Sequence, residues 1–291
     1  MLRDRRRLAL SAAAVAAVCV WLFALVPSRS PLAVTFLDVG DGLCAVARTP
    51  SGKIVVVDCG TASWRRPETI GDKLVAPYLQ SLGADTIDVA VLTHPHADHV
   101  SGFAARRPAK PASLVLDIGA NHASPYYEQF LREVESSGAA YRIASRGQSV
   151  DFGDGVVLEV LSPSPDRRYS NLNDQSAIIR LTYDDTAVLL AADAGEDAEL
   201  DTLASGAAVR SQVLQVGHHG GADSSSQRWV ASVGPAVAVI SCARNSRHGH
   251  PSRDVVRRLE LAGARVYVTG RDGAITVLAD GQTVQVRAVA R

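Results

Sequence analysis

The chain has little that is lopsided. Of its 291 residues 30 are basic and 30 acidic, so no field of one sign covers the surface. That removes the usual electrostatic mark of a nucleic-acid binder. Aromatic residues make up 5%, which leaves few rings for stacking on bases. There are four cysteines, and none stands in a Cys-x-x-Cys pair. At this length four do not build a disulfide scaffold, and no structural zinc site is indicated. Cys44 and Cys59 fall on segments that read as two paired strands, which leaves a bridge between them open. Cys59 reads as a strand-end core residue and Cys242 as a buried thiol. No internal repeat appears. Hydrophobic residues at 47% and charged ones at 21% are ordinary for a globular chain with an ample core.

One long apolar run is present, Leu8 to Val26, preceded by Arg3, Arg5, Arg6 and Arg7. Its length suits a helix across a bilayer, and the basic flank predicts a cytoplasmic N-terminus. An uncleaved anchor is favoured over a cleaved secretion signal, because the run is long and no clean small-x-small site follows it. Residues 1–30 are therefore read as a membrane anchor or signal segment, and 31–291 as one catalytic domain outside the cytoplasm or secreted.

Residues 93–99 carry the chemistry: Thr93-His94-Pro95-His96-Ala97-Asp98-His99. Three imidazoles and a carboxylate occupy six positions, where the apolar run Ile87–Leu92 ends as a buried strand. Neutral imidazole and carboxylate are the usual ligands of zinc, manganese or iron. Pro95 stops the segment from continuing as regular structure. The turn can then aim His94 and His96 at one metal and Asp98 and His99 at another. Strands are predicted first (32–38, 43–49, 54–58), then helices between further strands, with helices at 68–82, 124–137, 196–203, 226–233 and 253–262. That order suits two mixed β-sheets packed face to face with helices outside, an α/β architecture.

The His-x-His-x-Asp-His motif resembles the signature of the metallo-β-lactamase superfamily. Other segments follow in the order of its ComEC-type competence branch: Phe36 to Gly42, Val56 to Gly60, Asn171 to Ser176, Ala191 to Asp193, Gly217 to Gly221, and Asn245 with Gly249-His250-Pro251. The resemblance covers roughly 32–287 and implies the αβ/βα sandwich of that superfamily. It also implies two divalent ions, zinc first and manganese second.

The resemblance casts Asp193, at a strand tip, as the carboxylate bridging the two ions. His218 and His219 sit at another strand tip. One closes the second metal site and the other binds substrate or orients a ligand, and analogy favours His219 as the ligand. Asp38 and Asp58 are expected to position ligands from behind, and Asn173 and Asn245 to hydrogen-bond near substrate. His250 is expected to give a proton to the leaving group, so Asp98, Asp193 and His250 form the catalytic set. Two departures stand out. Between the first cluster and Asp193 the only histidine is His122, whose context does not match, so the first metal would keep two histidines plus the bridge, with water or asparagine filling in. Asp41-Gly42-Leu43 also stands where the branch has Gln-Gly-Asp. The expected activity is hydrolysis of a phosphodiester, with DNA as a candidate partner. The alternatives are a small-molecule hydrolase and a non-catalytic binding module.

Overall fold

The computed structural model describes residues 30–63, 65–104, 112–167 and 169–289. The expected anchor and Cys19 lie outside them. Among the described residues no helix is long and apolar enough to cross a membrane.

Three short strands open the fold: β1 (Leu32–Phe36), β2 (Ala45–Arg48) and β3 (Ile54–Val57). The helix expected over 68–82 forms as a mixed segment, a 3-10 turn at Pro67–Thr69, a π-helical turn at Gly71–Val75 and α1 (Ala76–Ser81). Pro77 explains the change of pitch. It has no N–H for the preceding turn, and the wider turn closes instead from Ala76 N–H to the Gly71 carbonyl. Next come β4 (Ile87–Leu92), the single turn α2 (Ala97–Val100), β5 (Ala112–Asp117) and α3 (Pro125–Ser137). Ser124 sits at the N-cap of α3 without a side-chain cap bond, and Pro125 fills the first helical position.

Two strands escape the sequence reading: β6 (Ala140–Ile143), exposed at every position, and the three-residue β7 (Ser149–Asp151). The remaining elements are β8 (Val156–Val160), β9 (Ile179–Tyr183), β10 (Thr186–Leu190), α4 (Glu196–Ala204), β11 (Val213–Gln215), α5 (Gln227–Val233), β12 (Val237–Ile240), α6 (Arg253–Leu261), β13 (Arg265–Val268), α7 (Thr269–Asp272), β14 (Ile275–Ala279) and β15 (Val284–Ala288).

The strands form two mixed sheets. One runs β15-β14-β1-β2-β3-β4-β5-β6, the other β13-β12-β11-β10-β9-β8-β7. In each, an antiparallel half passes into a parallel half, at β3 in the first and at β10 in the second. The inner faces meet in one core, with Phe36, Val57 and Val91 from the first sheet packed with Ile179, Leu190 and Val239 from the second. The outer face of the first sheet is covered by Leu79 of α1 and by Tyr127 and Phe130 of α3. The outer face of the second is covered by Ala198, Trp229 and Leu259 of α4, α5 and α6. This is the four-layer sandwich. β3, β4, β10 and β11 all end toward one edge, and the candidate residues leave from the carboxyl ends of these strands, where ligands bind in open parallel sheets.

Candidate metal centre

Each segment at that edge is held in an unusual backbone. Among the described residues six non-glycine residues have positive φ, and five lie at or beside the centre: Asp58, Ala192, His218, His219 and Ser225. Such conformations cost on the order of 1–3 kcal/mol each and persist where the surroundings enforce them. The enforcing groups are visible. The Gln215 side chain accepts from Ala192 N–H at 2.7 Å and donates to the Val216 carbonyl at 2.6 Å, which fixes the turn before Asp193. Asp174 accepts from Gly195 N–H at 3.0 Å, tying the Asn173 turn to the start of α4. Gly60 packs against the histidine turn so closely that a Cβ there would lie 2.3 Å from the Asp98 carbonyl carbon.

The three buried imidazoles His94, His99 and His219 have their Nδ1 atoms set by the protein. His99 Nδ1 donates to Asp58 Oδ2 at 2.7 Å, and the same carboxylate accepts from Thr93 N–H at 2.8 Å and Thr93 Oγ1 at 2.6 Å. His219 Nδ1 donates to the Ser241 carbonyl at 2.7 Å. His94 Nδ1 lies 3.3 Å from both Thr93 Oγ1 and Ser176 Oγ. A carbonyl and a triply engaged carboxylate only accept, so the protons of His219 and His99 sit on Nδ1. In the neutral rings the Nε2 lone pairs then point inward.

Those lone pairs meet carboxylate oxygens. His99 Nε2 lies 3.1 Å from Asp193 Oδ1, and His219 Nε2 lies 3.4 Å from Asp193 Oδ1 and from Asp98 Oδ2. His99 Nε2, His219 Nε2 and Asp193 Oδ1 are buried and have no hydrogen-bond partner. The donor atoms of Asp98, His99, Asp193 and His219 all fall within 4.8 Å of one another. Converging acceptors repel unless a cation or added protons stand among them. Ligands about 2.0–2.1 Å from a tetrahedral zinc are about 3.3–3.4 Å apart, which is close to these spacings. The donor set therefore fits a metal ion.

A second group of donors adjoins the first. His94 Nε2 lies 3.1 Å from His96 Nδ1 and 3.8 Å from Asp193 Oδ2. Asp193 thus turns one oxygen to His99 and His219 and the other to His94. His122 stands at this end too, its ring edge-on to that of His96 with centroids 5.6 Å apart. Nothing in its sequence context points to this placement.

Electrostatics follow from this crowding. Burial opposes charge on His99 and His219, but Asp193, with Asp58 or Asp98, overcomes it. His99 is held well above the usual histidine value and His219 is pushed up to about 8. Burial also opposes charge on Asp98 and Asp193, yet the neighbouring imidazoles keep both well below the ordinary carboxylate range. Burial and the neighbouring His99 push His94 well down. Burial raises Asp58 despite its three donors.

His218 is placed differently from His219. Its Nδ1 pairs with Asp223 at 2.8 Å and its Nε2 lies 3.1 Å from Asn173 Nδ2. The Asp223 bond raises its pKa against burial. Its ring faces that of His250 at 5.5 Å. His250 is half-buried and pushed down, by burial first and then by the neighbouring histidines. Asn173 Oδ1 is a buried acceptor without a hydrogen-bond partner. Asn245 lies exposed on the loop that carries His250. Asp38 accepts from Gly40 N–H at 3.3 Å, within its own turn. Asp41 works as a brace: Oδ1 accepts from Ala243 N–H at 3.1 Å, which joins the first loop to the His250 loop. Gln215, Ser241 and Asp223 carry no warning in the sequence. Each acts through a partner far from it in the chain or through a turn whose shape no periodicity reveals.

The model of the metallo-β-lactamase superfamily matches residues 37–244, and the chain belongs to that superfamily. Within it the chain is similar to competence proteins, as its motifs suggest. It is 27% identical to ComE operon protein 3 of Bacillus subtilis, over 83% of this chain and 32% of the relative. It is 29% identical to competence protein ComA of Neisseria gonorrhoeae, over 84% of this chain and 32% of the relative. Recombination protein 2 of Haemophilus influenzae is also 29% identical, over 86% of this chain and 29% of the relative. The chain thus spans about a third of the length of these relatives. Among solved structures, the metallo-β-lactamase fold protein YhfI of B. subtilis superposes with a TM-score of 0.53 at 13% identity, covering 81% of this chain and 96% of that one. Zn(2+)-bound PqqB of Methylobacterium extorquens gives a TM-score of 0.53 at 8% identity, covering 81% and 98%. These two establish the fold alone.

Proposed function

We propose that this chain hydrolyses phosphodiester bonds with two divalent metal ions, zinc first, and that its substrate is a nucleic acid. The observation that carries the reading is Asp193, whose two carboxylate oxygens face two separate groups of inward-pointing imidazoles. His94, His96 and Asp193 would hold one ion. Asp98, His99, His219 and Asp193 would hold the other. Bound divalent ions supply Lewis acidity for a phosphoryl group and water activated near neutral pH.

The protein supplies position and protons. Asp58 and the Ser241 carbonyl fix the tautomers of His99 and His219, so the donors are arranged before a ligand arrives. His218, steered by Asp223, offers an imidazole beside the centre that can hydrogen-bond a phosphate oxygen. His250, half-buried beside it, is the candidate acid for the leaving oxygen; its lowered pKa makes a stronger acid of the protonated ring and leaves less of it at neutral pH. The similarity to competence proteins supports a nucleic acid over a small ester. We further place the domain outside the cytoplasm, on the arginines that precede the apolar run Leu8–Val26.

The test combines metal analysis with a substrate panel. The chain purified without chelator should carry two ions. It should cleave bis-p-nitrophenyl phosphate and DNA, and lose both activities on chelation. Hydrolysis of a lactam or lactone with no phosphodiester cleavage would assign a small-molecule hydrolase. Failure to take up zinc or manganese at all would leave a binding module. Protease digestion of intact spheroplasts tests location, and a domain cleaved only after lysis contradicts it.

A further inference from the structure

Cys44 and Cys59 take no part in the centre described above. They lie at the adjoining ends of β2 and β3: Cys44 stands one step past the antiparallel pair Ala45–Val57, opposite Asp58, and Cys59 is the residue after Asp58. Beyond that pair the two chains stay together, since Gly60 N–H donates to the Leu43 carbonyl at 3.1 Å. Asp58, at φ 56°, turns the chain between the two strands, and a disulfide spans Cα atoms about 4.4–6.8 Å apart, a reach that suits neighbouring strand ends. Both side chains turn to the same face, into the outer core with Leu37, Val46, Val56 and Ile70. Both are buried, at 0% and 2% exposure. The sulfur of Cys59 is tightly enclosed: a Cβ added at Gly102 would lie 2.4 Å from it. Both are free thiols in this structure, and the neighbouring Cys59 thiol together with burial holds Cys44 well above the ordinary thiol range. The third described cysteine, Cys242, belongs to the core on the outer side of the other sheet and does not compete.

We propose that Cys44 and Cys59 are joined by a disulfide bond when the chain folds in an oxidising compartment. The bond closes the β2–β3 hairpin just where Asp58 emerges to hold His99. Cys59 N–H itself donates to the His99 carbonyl at 2.8 Å, so the bond pins the corner on which the histidine turn rests. Its formation balances as a thiol–disulfide exchange. The two thiols lose two protons and two electrons and form one S–S bond, while an oxidant disulfide, glutathione disulfide or an oxidoreductase, is reduced to two thiols. Once folded, neither sulfur is reachable and Cys44 is not a thiolate, so the exchange belongs to folding, while the hairpin is open. The bond needs neither metal nor substrate, so it stands or falls apart from the phosphodiester reading.

The full chain, refolded from denaturant with oxidised and reduced glutathione and mapped under non-reducing conditions, tests it. The peptides holding Cys44 and Cys59 should be joined, and Cys242 should alkylate once the product is denatured. The oxidised chain should melt about 6–12 °C above the reduced one, from a closed loop of about 15 residues in a domain of this size. A Cys44→Ser, Cys59→Ser double variant should melt at the same temperature with or without reductant. Recovery of Cys44 and Cys59 as free thiols from a folded chain at every glutathione ratio would overturn the proposal. So would a map in which either cysteine is joined to Cys242 instead.

Discussion

Replacing Asp58 by asparagine keeps the shape of the side chain but removes its charge and puts an NH2 donor where a carboxylate oxygen accepted. The native carboxylate accepts three hydrogen bonds in a site with 0% exposure, from Thr93 N–H, Thr93 Oγ1 and His99 Nδ1. The amide that replaces it would keep one oxygen for Thr93 N–H but turn an NH2 toward His99. Two donors cannot face each other, so His99 must move its proton to Nε2 and accept at Nδ1. The relocated proton then points at Asp193 Oδ1, where the lone pair stood 3.1 Å away. His99 ceases to be a ligand unless the ring flips back at the cost of an unpaired buried donor. Removing a group that orients a metal-bound histidine costs about 10–100-fold in metal affinity. That corresponds to about 1.4–2.7 kcal/mol. Asp58→Ala is the blunter variant. It strands three donors at about 1–3 kcal/mol each, so it should lose stability as well as metal. Chelator competition with zinc measures the affinity, and long-range 1H–15N correlation reports the His99 tautomer directly. Wild-type zinc affinity in Asp58→Asn with His99 protonated at Nε2 would refute the reasoning, because the tautomer would then not govern the site.

His219→Ala should bind one zinc fewer than wild type by elemental analysis, whereas His218→Ala should keep full metal content and lose turnover. His250→Ala should lower phosphodiester hydrolysis by about 10²–10⁴-fold at unchanged metal content, with the smallest loss on nitrophenyl leaving groups. Loss of metal instead would make His250 a ligand. Zinc at about a thousand times its Kd should add about 4 kcal/mol and raise the melting temperature by about 8–16 °C, read by calorimetry with and without chelator. Glu199 accepts from the Ser225 and Ser226 N–H groups, yet burial pushes its carboxyl from 4.5 up to about 7. Its folded pKa lies above the unfolded one, so its contribution is complete below about pH 4.5 and is lost as pH rises through about 7, a swing of about 3 kcal/mol. Glu199→Gln should flatten that decline in stability between about pH 4.5 and 7.

The parts legible in the sequence are those where one local rule dominates. The apolar run bounds β4, and Pro95 bounds the histidine turn. Asp280-Gly281 is a hairpin-turn dipeptide, and β14 and β15 pair antiparallel on either side of it. β6 and β7 stay hidden because edge strands carry no buried face: every β6 residue is exposed, so no alternation is written into it. The helix over 68–82 is legible as a segment but its pitch is not, since propensity does not say how a chain absorbs Pro77.

The centre divides in the same way. The residues that converge on it are visible because their chemistry is rare: imidazoles and carboxylates at strand ends. What decides their roles is not visible. His218 and His219 are adjacent, identical and both at positive φ, and nothing local distinguishes them. The difference is that the Ser241 carbonyl, 22 residues away, takes the proton of His219, while Asp223 pairs with His218. The sequence context of His122 matches no ligand, yet the loop after β5 carries it to the ring of His96. Pairings of this kind are made by packing two sheets face to face, so they appear only once the sheets are in place. The strain at Asp58, Ala192 and His219 points the same way. A turn that costs free energy is dictated by what surrounds it and not by its own residues, and the least predictable backbone in the molecule is where the donors meet.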